Sequence, residues 1–191
     1  MSLERRAAMA TLVAGRDDDL LVVPGLGSTT WDLAATGDND LNFYLWGAMG
    51  GAAMIGLGLA LAQPARRVAV ITGDGEMLMG LGSLATIGIQ KPANLAVIVF
   101  DNGVYGETGM QPSHTQSGVD LLKVAAACGI GPCLDVRDEA GLADLAGRLK
   151  SLRETLFARV LIDAADPPRV LPERDGVVLK QRFRAAIGAN R

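Results

Sequence analysis

An α/β fold, a doubly wound parallel sheet with helices on both faces, is what this chain predicts, and three observations carry the prediction. Short apolar runs alternate along the chain with helix-length segments, the pattern of repeated strand–helix units. Two of the runs, 68–72 and 95–100, are apolar but for the closing Thr72, as strands buried on both faces are. Glycine is abundant at 24 residues and aromatics are scarce at 4%. That balance suits tight turns and close helix–sheet contacts better than an antiparallel sandwich.

The elements follow in order. Residues 4–14 read as a first helix and 20–23 as a short strand. The loop Pro24-Gly25-Leu26-Gly27-Ser28-Thr29-Thr30 can cap a short helix over 32–35. A further short strand is expected over 42–45, a glycine-rich helix over 49–62, and a strand over 68–72. A crossover helix over 77–90 closes at Lys91-Pro92 and leads to the strand 95–100. The polar loop 101–118 is the longest, and long loops in compact domains tend to be functional. A helix over 119–128, a strand over 133–136, a helix over 138–151 and a strand over 156–162 complete a domain spanning 1–165. A tail over 166–191 carries Pro167, Pro168 and Pro172, then a basic candidate helix over 180–187. Its cations, Arg169, Arg174, Lys180, Arg182, Arg184 and Arg191, read as a solvated or partner-facing surface.

Composition sets limits. A chain of 191 residues fits one domain, in which roughly 70% of the unfolded surface can be buried. Hydrophobic content of 49% with 20% charged residues is globular. A net charge of −3 gives no basic footprint for nucleic acid. Cys128 and Cys133, with His114 the sole histidine, cannot make a four-ligand zinc or iron–sulfur site within one chain. Free thiols favour a reducing cytoplasm, and the first fifteen residues lack the apolar core of a secretory signal. Residues 41–65 carry no charge and are long enough to cross a bilayer. Asn42, Gln63, Pro64 and five glycines argue instead for a helix buried between sheet and partner, and no membrane association is expected.

The chemistry gathers at two strand ends. Gly73-Asp74-Gly75 ends the run 68–72, and Asn102 stands 27 positions after Gly75 at the end of the run 95–100. A helix-length crossover between parallel strands places these ends side by side at one sheet edge. A carboxylate and a carboxamide are hard oxygen ligands, and glycines let backbone N–H groups approach phosphate; together they suit Mg²⁺ and a diphosphate. Asp74, Asn102 and the carbonyl of Val104 are the candidate metal ligands. Taken singly, each motif also reads as an ordinary turn.

Three segments in order carry a resemblance: Phe43-Tyr44-Leu45-Trp46-Gly47-Ala48-Met49-Gly50, then 75–87 (GEMLMGLGSLATI), then 101–115 (DNGVYGETGMQPSHT). Over roughly 20–162 the chain resembles the cofactor-binding half of thiamine-diphosphate enzymes, in particular sulfopyruvate and phosphonopyruvate decarboxylases. The resemblance implies thiamine diphosphate and Mg²⁺ as cofactors. It implies that Met49 wedges between the cofactor rings and that the carbonyl of Gly47 accepts from the aminopyrimidine. Gly73, Asp74, Gly75, Glu76, Asn102, Val104 and Tyr105 would lie around the diphosphate. Gly27, Ser28 and Thr29 stand where such enzymes place diphosphate contacts, with helix capping the rival reading. Asp101 replaces the first residue of the common Asn-Asn ending, and Glu76 the small residue often found after the triplet. An acidic side chain there is unfavourable beside a diphosphate unless it points away, although it suits a helix N-terminus. The polar stretch 107–115 reads either as a head-group site or as a solvated loop. His114 is a candidate for proton transfer there, or an incidental loop histidine.

Such enzymes use a glutamate from a second α/β domain of comparable size, which 191 residues cannot also hold. A separate subunit bearing the pyrimidine-binding domain is therefore expected, in a hetero-oligomer, with a homodimer when this chain is isolated. The resemblance implies decarboxylation of a small anionic 2-oxo acid. A carboligase subunit of the acetolactate synthase kind and a non-catalytic cofactor-binding module are the alternatives.

Overall fold

The structure, a computed structural model, describes residues 2–189; Arg191, one of the tail's cations, lies outside them. Helix α1 (Arg5–Val13) begins where the Glu4 carboxylate accepts the N–H groups of Arg6 and Ala7 at 2.8 and 2.7 Å, satisfying donors the helix cannot. Strand β1 (Leu20–Pro24), helix α2 (Ser28–Ala35), helix α3 (Ala52–Ala62) and strand β2 (Arg67–Gly73) follow. Then come helices α4 (Asp74–Met79) and α5 (Ser83–Gln90) and strand β3 (Leu95–Asp101). The two-residue strands β4 (Val104–Tyr105) and β5 (Gln111–Pro112) form a small antiparallel hairpin. Helix α6 (Leu121–Ala127), strand β6 (Cys133–Val136), helix α7 (Glu139–Lys150), strand β7 (Leu156–Leu161) and helix α8 (Gly176–Ala186) end the series.

The main sheet has five strands in the order β1-β2-β3-β7-β6, every pair parallel. Strand side chains divide by the period of two. Val22, Ala69, Ile71, Ala96 and Ile98 enter one core with α1 and α7. Val23, Val68, Val70, Val97 and Val99 enter the other with α3 and α5. Both faces are dry, so the runs can be apolar throughout. The expected α/β architecture is the one observed. Residue pairing sets Gly73 opposite Phe100, so β2 and β3 end level and their next residues emerge together at the carboxyl edge.

Four expectations change. Residues 42–45 make no strand: Asn42 forms one isolated bridge to Val22, and its amide then turns to the Tyr44 hydroxyl at 2.8 Å. The glycine-rich helix starts at Ala52 because Ala48 and Gly50 have φ of 61° and 84°. The crossover is two helices, not one. Gly80 lies against the Gly50 backbone, where an added Cβ would sit 2.2 Å from the Gly50 carbonyl oxygen, and this contact breaks the helix at residues 80–82. Lastly, α8 is longer than the basic segment and docked: Leu179 and Phe183 are buried, and only its other faces are solvated. Among the described residues no helix is long and apolar enough to cross a membrane.

Candidate cofactor site

Asp74 is the first residue of α4 and is buried at the end of β2. Its Oδ2 accepts hydrogen bonds from the hydroxyls of Ser113 and, at 3.2 Å, Thr115. Thr115 Oγ1 also lies 2.9 Å from Asp101 Oδ1, so its single proton is shared between the carboxylates that follow β2 and end β3. Burial raises the Asp74 carboxyl above the ordinary range; the Ser113 hydroxyl opposes this and the nearby Asp101 charge adds to it. Asn102 Oδ1 accepts the Val104 N–H at 3.0 Å, and the Asp101 carboxylate accepts that of Gly103 at 3.0 Å. These short bonds turn the chain sharply after β3.

The strand ends open into one cavity of about 240 Å³. Asp74, Asn102 and Val104 line it together, with Gly73 and Gly75 between them. Ser28, Met49, Glu76 and Tyr105 line it as well. Met49 is 47% exposed and stands at the rim, free to meet a ligand. The Tyr105 ring closes over the triplet, where a Cβ at Gly75 would be 2.7 Å from it. A wider hollow of about 620 Å³ past Asp18, Asp38, Asp40 and Arg66 is an open surface feature with none of the strand-end residues.

Glu76 lines the cavity yet is buried, its Oε2 turned to the protein. That oxygen accepts the Leu26 N–H and the Thr72 hydroxyl, both at 2.9 Å. Oε1 is buried without a hydrogen bond, although the backbone at Gly50 and Ala52 lies near enough to favour its charged form. Burial outweighs these contacts and raises the carboxyl. The acidic residue is thus a brace between α4 and the turn after β1.

Four expected residues do not line the cavity. The Thr29 hydroxyl donates inward to the Gly25 carbonyl at 3.0 Å, an oxygen that also accepts from the Thr30 hydroxyl at 2.7 Å. Gly27, with φ of 72°, is the N-cap of α2. Gly47 is exposed, with nothing within 4 Å of where a Cβ would stand. His114 is exposed and its Nδ1 is 2.8 Å from the Tyr105 hydroxyl, which places it behind the tyrosine. Conversely, Ser113 and Thr115 hold Asp74, and Arg5, Glu107 and Asp166 line the cavity. The loop's polar character is the only sequence signal for the first two.

The donor set fits the cofactor that the motifs imply. Asp74, Asn102 and Val104 line a common cavity, and a carboxylate, a carboxamide and a backbone carbonyl are the kinds of oxygen ligand that suit Mg²⁺. The Asp74 hydroxyl contacts both fall on Oδ2, leaving Oδ1 outside that pair.

Residues 33–161 match the family described as thiamine pyrophosphate enzyme, C-terminal TPP binding domain. A phosphonopyruvate decarboxylase of Streptomyces viridochromogenes is 41% identical, over 96% of this chain and 46% of its own length. A sulfopyruvate decarboxylase of Methanosarcina acetivorans is 38% identical over 83% of this chain and 40% of its own. The chain therefore spans less than half of either relative. The sulfopyruvate decarboxylase subunit beta of Methanocaldococcus jannaschii is 38% identical over 87% of this chain and 88% of its own. Among solved structures, a putative thiamin diphosphate-dependent enzyme isolated from Mycobacterium smegmatis shares the fold. Its TM-score is 0.72 at 23% identity, over 85% of this chain and 32% of the other. This chain belongs to the thiamine pyrophosphate enzymes and carries their C-terminal TPP binding domain.

Proposed function

We propose that the chain is the diphosphate- and Mg²⁺-binding subunit of a thiamine-diphosphate-dependent decarboxylase of small anionic 2-oxo acids, of the sulfopyruvate or phosphonopyruvate kind. The observation that carries this reading is the meeting of Asp74, Asn102 and Val104 at one cavity, with Met49 at its rim. Asp74, Asn102 and the Val104 carbonyl would hold Mg²⁺, and the glycines Gly73 and Gly75, which line the same cavity, would leave room for the diphosphate. When bound, the cofactor supplies the nucleophilic carbon and the electron sink that decarboxylation of a 2-oxo acid requires. The protein positions it, and Met49, Tyr105 and Phe100 keep its surroundings apolar.

A second subunit completes the site. A cavity of about 240 Å³ is smaller than the roughly 300–1,000 Å³ of most cofactor-sized sites, which supports a pocket closed by another polypeptide. Met54 and Leu61 on α3, Met79 on α4 and Ile89 on α5 are exposed, and such residues are suited to a partner interface. The relatives named subunit beta support the same division.

The test is to purify the chain together with a subunit carrying a pyrimidine-binding domain and titrate thiamine diphosphate with and without Mg²⁺. Carbon dioxide release is then followed over a panel of 2-oxo acids. Mg²⁺-dependent binding, lost in Asp74→Ala, together with release from sulfopyruvate or phosphonopyruvate, is the expected result. Condensed products in place of aldehyde would replace decarboxylation with carboligation. No cofactor binding with or without partner would overturn the reading.

A further inference from the structure

Among the described residues lining the strand-end cavity, Arg5 carries the only positive charge, against Asp74, Glu76, Glu107 and Asp166. Its place is set by a short parallel bridge. The Leu3 N–H donates to the Leu161 carbonyl at 2.9 Å and the Asp163 N–H to the Leu3 carbonyl at 2.8 Å. The start of α1 is thereby held at the carboxyl end of β7, beside the ends of β2 and β3.

Arg5 is 4% exposed, and its partner only partly occupies it. Nε lies 2.9 Å from Asp32 Oδ2, but at an angle that leaves it without a hydrogen bond. Nη2 donates to Asp32 Oδ1 at a long 3.4 Å, and Nη1 donates to no described residue. Asp32 is shared, since Arg6 Nε also reaches its Oδ1 at 3.2 Å. One carboxylate thus answers two guanidinium groups, and the cluster keeps a unit positive charge. Arg6 sends its Nη2 to the Pro168 carbonyl at 2.9 Å and does not line the cavity.

We infer that Arg5 binds an oxyanion in this cavity: a phosphoryl, phosphonyl or sulfonyl group. The inference rests on the cofactor reading above, and the oxyanion belongs either to the cofactor's diphosphate or to the anionic end of the substrate. Any such group enters a cavity bordered by four carboxylates. A divalent ion at Asp74 would offset part of the repulsion, and Arg5 is the one cationic side chain among the described lining residues. A guanidinium is planar, always charged and able to donate two parallel bonds to such an oxyanion, whereas an ammonium is a point charge. Burial keeps it weakly screened and holds its orientation.

The experiment is isothermal titration of the full chain with its co-purifying subunit, using two kinds of probe. Thiamine diphosphate with Mg²⁺ reports on the cofactor end. Phosphonoacetate and sulfoacetate, added to cofactor-loaded protein, report on the substrate end without turnover. Arg5→Gln is compared with wild type, and Asp32→Asn/Arg5→Gln with Asp32→Asn, so that no buried carboxylate is stranded if the single variant fails to fold.

Loss of Arg5 should weaken one kind of probe by about ten- to a hundredfold, the size of a charge-assisted contact, and Arg5→Lys should recover part of it. Weakening of thiamine diphosphate assigns the diphosphate; weakening confined to phosphonoacetate or sulfoacetate assigns the substrate. Arg6→Gln, which removes Asp32's other partner, should bind both within about twofold of wild type. Unchanged affinity for every probe in both Arg5-lacking proteins would overturn the inference. So would equal weakening by Arg6→Gln, the mark of a role confined to Asp32. Wild type that binds no thiamine diphosphate would instead overturn the proposed function, and this inference with it.

Discussion

The carboxylate of Glu76 fills the space that a side chain at residue 25 would need: a Cβ on Gly25 would stand 1.9 Å from Glu76 Oε2 and 2.8 Å from Thr72 Oγ1. The turn after β1 and the first turn of α4 are thus fitted to each other. Gly25→Ala should cost about 1–3 kcal/mol, as overpacking does. In a Glu76→Ala background the same change should cost less than half as much, because the larger clash has gone. Thermal melts of the four proteins give the coupling directly. Equal costs in both backgrounds would show that Glu76 does not fill that space.

Burial disfavours the ionised form of Asp74 in the cofactor-free protein. Its carboxyl is raised chiefly by burial, so the fold prefers the protonated form. The stability this brings is complete below the ordinary carboxyl value of about 4 and is lost as pH rises through the raised value. At pH 7 the ionised group is therefore a liability until a cation arrives. Asp74→Asn keeps an acceptor for Ser113 and removes the charge. The cofactor-free variant should melt higher at pH 7, by about 2–4 °C for each kcal/mol relieved. It should match wild type near pH 4, and lose Mg²⁺-dependent cofactor binding. Asp32 and Glu76 are raised too, while Asp17, Asp38, Asp120 and Asp135 are lowered. The lowered group keeps its contribution above about 4 and loses it below, so the metal-free chain should be most stable in mild acid. A melting temperature that climbs steadily from pH 5 to pH 8 would contradict this sign.

Ser113 is fully buried, donates to Asp74, and has its own N–H bonded to the Gly103 carbonyl at 2.7 Å. It therefore anchors the hairpin loop to the triplet. Ser113→Ala should destabilise the metal-free chain by about 1–3 kcal/mol at pH 7, the cost of a lost bond to a buried charged group. The penalty should shrink as pH falls and Asp74 takes up a proton, since the bond is then no longer charge-assisted. Denaturant melts at pH 7.5 and pH 5 measure the difference. A penalty independent of pH would mean that the serine serves packing alone.

These contacts show where sequence reading succeeded and where it stopped. Strands β2 and β3 were legible because a strand buried on both faces needs apolar residues along its length, and so was the position of Asp74 and Asn102 just past neighbouring strand ends. The crossover's division at Gly80 was not, since its cause is the backbone at Gly50, brought near only by the folded chain. The inward turn of Thr29 follows the Gly25 carbonyl, which the Thr30 hydroxyl shares at 2.7 Å, and no residue type signals that contact. Ser113 meets Asp74 across 39 positions, and Arg5 reaches the cavity only through the contact of residue 3 with β7. Local periodicity reports which face of an element is buried; it is silent on which loops meet at its end.

The C-terminal segment offers a separate test, because its basic character suggested a solvated helix and its packing does not. Phe183 is 5% exposed and its ring centroid lies 5.1 Å from that of Phe43. Leu179, one turn earlier, reaches the opposite core, and Arg182 pairs with Asp38 at the helix's edge. Asp175 caps the start by accepting the Val177 N–H at 2.8 Å. Phe183→Ala removes a buried ring and should cost about 3–5 kcal/mol, whereas Lys180→Ala, on an exposed face, should change stability by under about 0.5 kcal/mol. Chemical denaturation would compare them, and limited proteolysis should cut the Phe183→Ala protein first between β7 and α8. If Phe183→Ala unfolds at the wild-type midpoint, α8 contributes nothing to the core and the segment is an appendage after all.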